Sequence, residues 1–290
     1  MRQRHYIHQI YYDEASRRAV NPLFIPLDNS ANERSDWYEF WVIKNYLENN
    51  TLDPDAWYGF LSPKFEQKTG MDAPSLYYLL NEIYGSTSEV FLVPAYWENI
   101  AVFKNAFYQG DFVHPGLLAT AQKFMDFIGR PEPLSDLISH TGNFTFCNFI
   151  VARPSYWKDW LTLAQKFFDV TENDPGALGH ELRSMTKYKP DTGRLPIKTF
   201  IQERFPAIIL NEDKWRSACA SVPTSTFIDH VVKHKRYDLN VLSVVDTCNS
   251  LKMMYDTKRD PTYLQIYDQL APVAQSIWLQ QAARLAAKRA

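Results

Sequence analysis

The stretch from Asp36 to Phe65 constrains the fold of this chain most strongly, because it joins an amphipathic helix to a short apolar strand. Three apolar residues recur at the spacing of one helix face, at Phe40, Ile43 and Leu47. Asp36 and Glu39 have the spacing of a capping box, in which each side chain satisfies a free backbone N–H. We therefore expect a helix with Asp36 as its N-cap that ends at Asn49-Asn50.

After a polar loop, the apolar run from Trp57 to Leu61 predicts a strand, although a buried helix segment has the same pattern. Its aromatic content favours the strand. The run ends at the polar turn Ser62-Pro63-Lys64. Ligand crevices in α/β proteins form outside the carboxyl ends of strands, and a lysine in such a turn suits an anionic ligand. The sequence therefore predicts a ligand site around Ser62 and Lys64.

Strand-like and helix-like segments alternate along the first part of the chain. The predicted strands are His5–Tyr11, Phe24–Leu27 and Glu89–Val93, and the predicted helices are Ala73–Tyr84, Asn99–Tyr108 and Leu117–Ile128. Such alternation is typical of an α/β fold with a mostly parallel sheet flanked by helices. Residues 110–116, between the last two helices, form a predicted loop that contains His114.

The second half contains fewer strands. The predicted elements are a strand at Phe144–Arg153, helices at Tyr156–Phe168 and Lys198–Leu210, and a long polar connection at Asn173–Arg194. From Trp215 onward the pattern is helical, with segments at Phe227–Val232, Leu239–Tyr255 and Thr262–Ala290. We therefore divide the chain into an α/β domain at 1–214 and a C-terminal helical region at 215–290, which packs on the sheet or serves self-association.

Composition excludes several classes of protein. A net charge of −2 with 22% charged residues gives no broad basic surface, so nucleic acid is not an expected partner. Three widely spaced cysteines indicate neither a disulfide framework nor a CxxC metal site. The N-terminus lacks the apolar core of a signal peptide, and no apolar run reaches 18 residues or so. We expect a soluble, cytoplasmic protein.

The common catalytic motifs are missing as well. The chain has no GxxxxGK[ST], GxGxxG or HExxH motif and no GxSxG elbow, which argues against P-loop, classical dinucleotide, zincin and α/β-hydrolase chemistry. Cys147 lies in an apolar segment, whereas a reactive thiol needs an exposed electropositive setting. We do not expect it to be a nucleophile.

The remaining candidate polar residues combine carboxylates, amides and histidines with one or two cations. They are His8, Asp28, Asn29, Glu39, Ser62, Lys64, His114, Asn148, Glu203 and Arg204. This set suits sugar transfer, because a leaving nucleoside diphosphate needs positive charge and an acceptor hydroxyl needs a base. Five of these residues also have a purely structural explanation. His8 and His114 could be hydrogen-bonded structural histidines, Asn148 could pair with the backbone, Glu39 could cap a helix, and Glu203 could be a surface charge.

Four segments of the chain resemble a bacterial glycosyltransferase-like family of capsule and lipopolysaccharide loci. They are SDWYEFWVIKN, WYGFLSPKF, GNFTFCNFIVARPSYWKDWL and KTFIQERFPAIIL, in the order seen in that family. The matching positions are Glu39, Lys44, Asn45, Tyr58, Gly59, Phe65, Asn148, Phe149, Phe200, Glu203 and Arg204. The resemblance implies a GT-A-like fold that binds a nucleotide sugar.

Two departures from the family pattern affect the expected site. Where the family has H-Y-R-R-Y-F, this chain has LSPKF and retains one cation, Lys64. Where a metal-dependent enzyme of this type has Asp-x-Asp, this chain has Val93-Pro94-Ala95-Tyr96. The resemblance therefore leaves open whether Mn²⁺ or Mg²⁺ accompanies the donor, or whether Lys64 and Arg204 take its place.

The expected function is transfer of a sugar from a nucleotide-sugar donor to a glycan or lipid-linked acceptor during surface polysaccharide synthesis. Peripheral membrane association and the oligomeric state stay open. In this hypothesis Asp28 and Asn29 hold the nucleotide or donor sugar, Lys64 and Arg204 face the diphosphate, and Glu203 or His114 is the base.

Two alternatives remain. One is a non-catalytic sugar-binding or assembly protein on the same fold. The other is a glycan hydrolase, which would need two carboxylates about 5 to 10 Å apart, here Asp28 and Glu203.

Overall fold

A six-stranded sheet forms the centre of the computed structural model, which describes residues 4–82, 87–187, 193–220 and 238–287. The strands are β1 (Arg4–Tyr11), β2 (Ile25–Asp28), β3 (Ala56–Leu61), β4 (Val90–Leu92), β5 (Ile150–Ala152) and β8 (Ser217–Cys219), in the spatial order β2-β1-β3-β5-β4-β8. A separate antiparallel hairpin pairs β6 (Met185–Lys187) with β7 (Arg194–Pro196).

Five of the six central strands run in the same direction. β1 pairs in parallel with β2 and β3, and β4 pairs in parallel with β8. β5 is antiparallel to both of its neighbours, β3 and β4. The predicted α/β fold with a mostly parallel sheet is therefore confirmed. The chain leaves β1 toward β2 on one side and later enters β3 on the other, so the direction of winding reverses between β1 and β3.

Helices cover both faces of the sheet. They are α1 (Glu14–Arg18), α2 (Tyr38–Asn49), α3 (Phe65–Thr69), α4 (Ala73–Glu82), α5 (Trp97–Val102), α6 (Ala106–Val113), α7 (Leu117–Phe127), α8 (Pro154–Asn173), α9 (Ala177–Arg183), α10 (Lys198–Gln202), α11 (Phe205–Ile209), α12 (Leu239–Lys258) and α13 (Thr262–Ala287). All six residues of β3 are buried, with Tyr58 and Phe60 in the core under α2 and α8, and Trp57 and Leu61 in the core under α3 and α4. Burial on both faces explains the unbroken apolar run of this strand.

The predicted C-terminal helical region is confirmed: its helices α12 and α13 form a hairpin, which packs against helix α5. Their apolar contact includes Val245 and Tyr267 from the hairpin and Trp97 from α5. Buried Lys252 of α12 donates hydrogen bonds to the carbonyl oxygens of Ile100 and Phe103, both at 2.6 Å. Among the described helices, none is both long and apolar enough to cross a lipid bilayer.

The predicted capping box at Asp36 is wrong. Helix α2 begins at Tyr38, and Asp36 lies in a preceding 3₁₀ turn, Ser35–Trp37. The Asp36 carboxylate accepts from Arg34 at 3.0 Å and from Lys198 Nζ at 2.5 Å. Two cations, one of them from a distant helix, stabilise this carboxylate more strongly than a helix N-terminus does.

The predicted strand at 144–153 is mostly wrong, because only Ile150–Ala152 pairs in the sheet. Phe146–Asn148 forms a 3₁₀ turn in which Cys147 and Asn148 both have positive φ, 63° and 52°. Asn148 therefore does not lie in the middle of a strand. It lies in the turn that delivers the chain to the start of β5.

Other boundaries shift for local reasons. The predicted helix 99–108 is two helices, because Asn105 interrupts it and caps α6 by accepting from the N–H groups of Phe107 and Tyr108. The predicted helix 198–210 breaks at residues 203–204, before α11 with its early proline. The polar connection 173–194 contains α9 and strand β6, and the predicted loop 110–116 begins inside α6.

Strand β8 lies just beyond the domain boundary predicted at 214 and pairs with β4. The sheet therefore extends past that boundary. The predicted helix 227–232 and residues 288–290 fall outside the described ranges, as does the end of the predicted helix 73–84.

Candidate functional site

The carboxyl ends of the parallel strands and the amino end of β5 meet at one edge of the sheet. Tyr12 follows β1, Ser62 follows β3, Tyr96 follows β4 by a few residues, and Cys147 and Asn148 precede β5. In open α/β sheets a crevice forms at this edge, at the point where the winding direction reverses. Here that point lies between β1 and β3.

Six side chains at or near this edge are linked by contact or by electrostatic interaction, and we call them the crevice cluster. They are Tyr12, Glu39, Lys68, Tyr96, Cys147 and Glu203. Glu39 and Lys68 both act on the pKa values of Tyr12, Cys147 and Glu203, so each of these three groups lies within electrostatic range of Glu39 and of Lys68. Tyr96 acts on the pKa of Lys68, and Lys68 Nζ lies 3.2 Å from Cys147 Sγ.

Three helical elements bring the charged members together. Glu39 is in the first turn of α2, Lys68 is in the last turn of α3, and Glu203 lies at the break between α10 and α11. Lys198, at the start of α10, contacts Asp36 at 2.5 Å and Glu172 at 3.3 Å. These ion pairs hold α10 beside the beginning of α2, so the two glutamates reach one crevice although they are distant in sequence.

Burial raises the pKa of Glu203, and Glu39 adds to the increase, whereas Arg204 and Lys68 oppose it. A carboxylate whose pKa is raised toward neutrality accepts a proton more readily from a reacting hydroxyl. Glu203 is therefore the member of the cluster best suited to act as a general base.

Lys68 supplies the positive charge of the cluster. Burial lowers the pKa of Lys68, whereas Cys147 and Glu39 raise it. The raising effects are larger together, so the pKa of Lys68 lies above the ordinary lysine value. Burial also raises the pKa of Cys147 to about 12, so this residue is a neutral thiol beside the ammonium group. The sequence prediction assumed that Cys147 has no electropositive neighbour, whereas Lys68 lies beside it; burial outweighs the effect of Lys68 on the pKa of this thiol.

Strained backbone concentrates around the crevice. Six non-glycine residues in the described ranges have positive φ, and four of them are Tyr38, Tyr96, Cys147 and Asn148. Each such residue costs roughly 1 to 3 kcal/mol and persists only where the surrounding structure enforces it, commonly at functional sites. Tyr38 precedes Glu39, and the other three belong to the turns at the ends of β4 and β5.

Buried neutral polar groups add hydrogen-bonding capacity near these elements. Ser62 Oγ, Asn148 Oδ1 and Gln202 Oε1 have no hydrogen-bond partner within the described part of the chain, and each residue is at most 6% exposed. A buried polar group without a partner costs about 1 to 3 kcal/mol, so each would gain from a polar ligand. Ser62 and Asn148 were predicted site residues, and the structure brings them to the same edge of the sheet.

Lys64 is one of the two cations that were predicted to face the diphosphate. It is exposed and immediately precedes α3, one helical turn before Lys68. Asp28, the last residue of β2, is also exposed and begins the turn that follows this strand. Its carboxylate accepts from the N–H of Ser30 at 2.7 Å, and this bond, the Ser30 hydroxyl and the Tyr11 hydroxyl lower its pKa. A carboxylate with a lowered pKa is a weak base, which argues against the predicted catalytic role of Asp28.

Asn29 completes the same turn, and its N–H donates to the carbonyl oxygen of Tyr11 at 2.8 Å. Because β2 lies on the far side of β1, this turn adjoins the winding reversal without forming it. Asp28 and Asn29 therefore belong to the rim of the edge rather than to the crevice cluster.

Arg204 does not face a diphosphate, contrary to the prediction. It is 1% exposed, and its guanidinium donates to Ala106 O at 2.8 Å, Phe200 O at 2.5 Å and Gln109 Oε1 at 2.7 Å. A Cβ atom at Gly110 would lie 2.5 Å from Arg204 Nε, so the glycine makes room for the side chain. The structure assigns Arg204 to the core between α6 and α10.

His114 is likewise part of the core and not a base in the crevice. It is 6% exposed and stacks on Phe200 with ring centroids 3.5 Å apart, and its Nδ1 hydrogen-bonds to the carbonyl oxygen of Lys187. Burial lowers its pKa to about 4, and the nearby Arg204 contributes. A neutral imidazole with its Nδ1 proton committed to a carbonyl serves structure rather than proton transfer.

His8 lies in β1 between the rings of Tyr46 and Phe60, at centroid distances of 4.6 and 5.4 Å. Neither ring nitrogen has a partner among the described residues, and burial lowers the pKa of His8 to about 4. His8 is therefore buried under the sheet face as a neutral ring, not exposed to a ligand.

This environment predicts a loss of stability in acid. In acid, the folded protein binds fewer protons at His8 than the unfolded chain, whose histidine pKa is 6.5. The contribution of His8 to the free energy of unfolding is therefore complete above pH 6.5 and declines as the pH falls toward 4. At about 1.4 kcal/mol per pKa unit, the loss reaches about 3 kcal/mol at pH 4. Denaturant unfolding of His8→Phe should show a weaker pH dependence over this range. The exposed His180→Phe should keep the wild-type dependence, and equal slopes for both variants would contradict the assignment.

Four members of the crevice cluster were not predicted as site residues from the sequence, namely Tyr12, Lys68, Tyr96 and Cys147. Tyr12 continues the every-second-residue spacing of His8 and Ile10, and Lys68 lies one helical turn after Lys64. The spacing of Tyr12 and of Lys68 in the sequence could therefore have indicated them as site residues. Tyr96 carried no such signal, because its position depends on a left-handed backbone conformation at the start of α5.

Within the described ranges, no group of three His, Cys, Asp or Glu side chains is placed to hold a metal ion. Comparisons of the chain with known protein families, with curated proteins and with solved structures gave no significant match.

Proposed function

We propose that this chain is a cytoplasmic glycosyltransferase that transfers a sugar from a nucleotide-sugar donor to a glycan or lipid-linked acceptor in surface polysaccharide synthesis. The observation that carries the proposal is the shared crevice of Glu39, Lys68 and Glu203 at the winding reversal of the sheet. Glu39 and Glu203 come from the first and last segments that resemble the glycosyltransferase-like family, and Asn148 comes from the third.

The proposed roles follow from charge. Glu203 accepts the proton of the acceptor hydroxyl, because its raised pKa makes this carboxylate a better proton acceptor than an ordinary glutamate. Lys68 lies opposite the negative charge that develops on the leaving nucleoside diphosphate, and fixed positive charge there lowers the barrier. Glu39 accepts hydrogen bonds from sugar hydroxyls. Lys68 thus takes the role that was predicted for Lys64 and Arg204.

The neutral groups around the cluster suit a sugar ring. Ser62, Asn148 and Gln202 offer buried oxygen atoms to hydroxyl donors. Tyr12 and Tyr96 contribute aromatic surface, which combines an apolar face with a polar tip. A polyhydroxylated ligand with alternating polar edges and apolar faces matches both kinds of group.

One observation favours a second function, glycan hydrolysis. Glu39 and Glu203 are two carboxylates in one crevice, and the pKa of Glu203 is raised, as expected for a general acid in a glycosidase. This pair replaces the Asp28 and Glu203 pair suggested by the sequence. A non-catalytic sugar-binding protein would use the same crevice without turnover.

A panel of nucleotide sugars, each with and without Mn²⁺, separates these functions. Thermal shift reports donor binding, and a nucleotide-release assay with a mixed glycan acceptor reports transfer. Binding with release supports the transferase, and binding without release supports the non-catalytic protein. If no nucleotide sugar binds while glycans are cleaved, the protein is a hydrolase and the transferase proposal is wrong.

Comparing two neighbouring lysines tests the position of the diphosphate. Lys68→Met should weaken donor binding by about 1.5 to 3 kcal/mol, the value of a charge-assisted hydrogen bond. Lys64→Met, one helical turn away and exposed, is the matched control and should change donor affinity by less than about 0.5 kcal/mol. Titration calorimetry with the donor found in the panel measures both. The reverse order of effects would restore Lys64 to the site.

A further inference from the structure

The C-terminal hairpin of α12 and α13 has an inner side, which faces α5. On α12, Lys252 Nζ donates hydrogen bonds to the carbonyl oxygens of Ile100 and Phe103 at the end of α5, both at 2.6 Å. On α13, Gln275 Nε2 donates to Val102 O at 2.7 Å. Successive residues of an α-helix are rotated by about 100°, so these contacts fix which side of each helix faces outward.

The outward side of the hairpin carries exposed apolar residues. Met254 lies two residues after Lys252, and this spacing turns it about 160° away from the contact with α5. Val273 lies two residues before Gln275 and is turned away by the same angle, and Ile266 lies one heptad before Val273. Met254, Ile266 and Val273 are 37%, 47% and 53% exposed. We use the name outer face for the surface formed by Thr247, Met254, Ile266, Val273 and Ile277.

Five apolar residues on this side of α13 have the spacing of a helix–helix seam. They are separated by alternating steps of three and four residues, at Tyr263, Ile266, Leu270, Val273 and Ile277. Such heptad spacing aligns side chains that pack between the side chains of a second helix. A neighbouring line of residues on α13, which includes Tyr267 and Ala274, is already buried in the contact with α5 and α12. Helix α13 therefore has one seam occupied within the chain and a second that is only partly covered.

The outer face carries no charge. In residues 239–257 and 262–280, all of them described, Asp268 is the only exposed charged residue. Asp268 lies seven residues before Gln275 and therefore on the side of α13 that faces α5. The hydroxyls of Ser243 and Thr247 donate to carbonyl oxygens four residues earlier in α12, both at 2.9 Å. These exposed hydroxyls keep their hydrogen bonds when water leaves the surface.

An uncharged outer face suits a second copy of this chain. Around a two-fold axis the same surface is present on both partners, so charged groups near the axis would meet groups of the same sign. The outer face avoids this repulsion, and the cores of protein interfaces are likewise depleted of charged residues. Helices that bind a membrane surface usually have lysine and arginine on their polar side, and the outer face has neither.

The size of the hairpin also fits a dimer. Helix α12 has 20 residues, which corresponds to a length of about 30 Å, and two helices side by side are about 20 Å wide. The projected area of the outward side is therefore about 600 Å² per copy. Each partner in a standard protein interface buries about 800 Å², and the relief of the side chains adds to the projected area.

We propose that this chain forms a two-fold dimer in which the outer faces of two hairpins pack together as a four-helix bundle. Four-helix bundles bury heptad seams of this kind in their core. The dimer goes beyond the proposed function and does not depend on it, because neither donor nor acceptor takes part in the interface.

Sedimentation velocity and light scattering of the purified full chain test the dimer. At about 100 µM a dimer with a micromolar Kd is almost fully formed, so the wild type should have twice the chain mass of 33.8 kDa. Val273→Glu and Ile266→Glu should each raise Kd at least about 100-fold and give the monomer mass, because burying an unpaired carboxylate is costly. Leu279→Glu is the matched control, since Leu279 is 38% exposed on the same helix but outside the outer face, and it should stay dimeric.

Circular dichroism verifies that each variant is folded. If a glutamate variant does not fold, the uncharged Val273→Gln should still raise Kd about tenfold through the lost apolar contact. A monomeric wild type, or a dimer that persists in the folded outer-face variants, would overturn the inference. Flotation with phosphatidylcholine–phosphatidylglycerol vesicles tests the other occupant, and a monomer that binds these vesicles rejects the dimer. Nucleotide-sugar binding is measured separately, so a failed transferase proposal leaves this result unchanged.

Discussion

Replacing Glu203 with glutamine should lower sugar transfer by about 10²- to 10⁴-fold, the contribution of a positioned general base. Glutamine has nearly the same shape but cannot accept a proton from the acceptor hydroxyl. Donor binding should persist, because in the proposed function the diphosphate faces Lys68 and not Glu203. The measurements are kcat by nucleotide release and donor affinity by calorimetry. Glu132→Gln, at an exposed glutamate outside the cluster, is the matched control and should retain wild-type turnover.

The role of Glu203 as a base also predicts how kcat depends on pH. A base must be ionised, and burial raises the pKa of Glu203, so activity should fall in acid at a pH above the ordinary glutamate value of 4.5. Lys68 lowers that pKa, and Lys68→Met should therefore move the acid limb to higher pH. Wild-type turnover in Glu203→Gln, or an acid limb that Lys68→Met leaves in place, would exclude Glu203 as the base.

Replacing Arg204 with methionine should lower the free energy of unfolding by about 3 to 5 kcal/mol. This loss is expected even though the substitution removes the cost of burying a charge. Methionine fills a similar volume but leaves Ala106 O, Phe200 O and Gln109 Oε1 without the three hydrogen bonds that the guanidinium donates. Arg204→Lys should recover only part of the loss, because an ammonium cannot match three fixed directions. Urea unfolding measures the change in the free energy of unfolding.

Arg130 provides the control for this substitution. It pairs with Glu212 at 2.9 Å near the surface, where both side chains are about a third exposed. Arg130→Met should cost less than about 1 kcal/mol, as exposed ion pairs usually do. Similar losses for Arg130→Met and Arg204→Met would show that Arg204 is not held as the structure indicates.

The fold class was within reach of the sequence because local pattern and global fold agree in the first half of the chain. The aromatic run of β3 and the periodic apolar face of α2 are both specified by nearby residues. Strand β8 has three residues and no such signal, so only its pairing with β4 reveals it. The turn at Cys147 and Asn148 misled the prediction, since its apolar neighbours favour a strand while its backbone is left-handed.

Some residues of the candidate site could be predicted from the sequence, and others could not. Glu39, Ser62, Asn148 and Glu203 were identified from residue type and from the family resemblance, and the structure brings all four to one edge of the sheet or its crevice cluster. Arg204 and His114 were equally plausible by residue type. Their hydrogen bonds to distant backbone carbonyls could not be foreseen, because charged and polar residues are usually exposed.

The sequence by itself determined the secondary-structure alternation, the mostly parallel sheet and the polar residues that follow its strands, because these depend on neighbours a few positions apart. Only the tertiary structure decided that Lys68 is the partly exposed cation near Glu39 and Glu203, whereas Arg204 is buried with its guanidinium hydrogen-bonded in the core. That choice depends on how α3 and α10 pack at the sheet edge. Contacts between segments so far apart are fixed by the packing of the whole core, which no local pattern encodes.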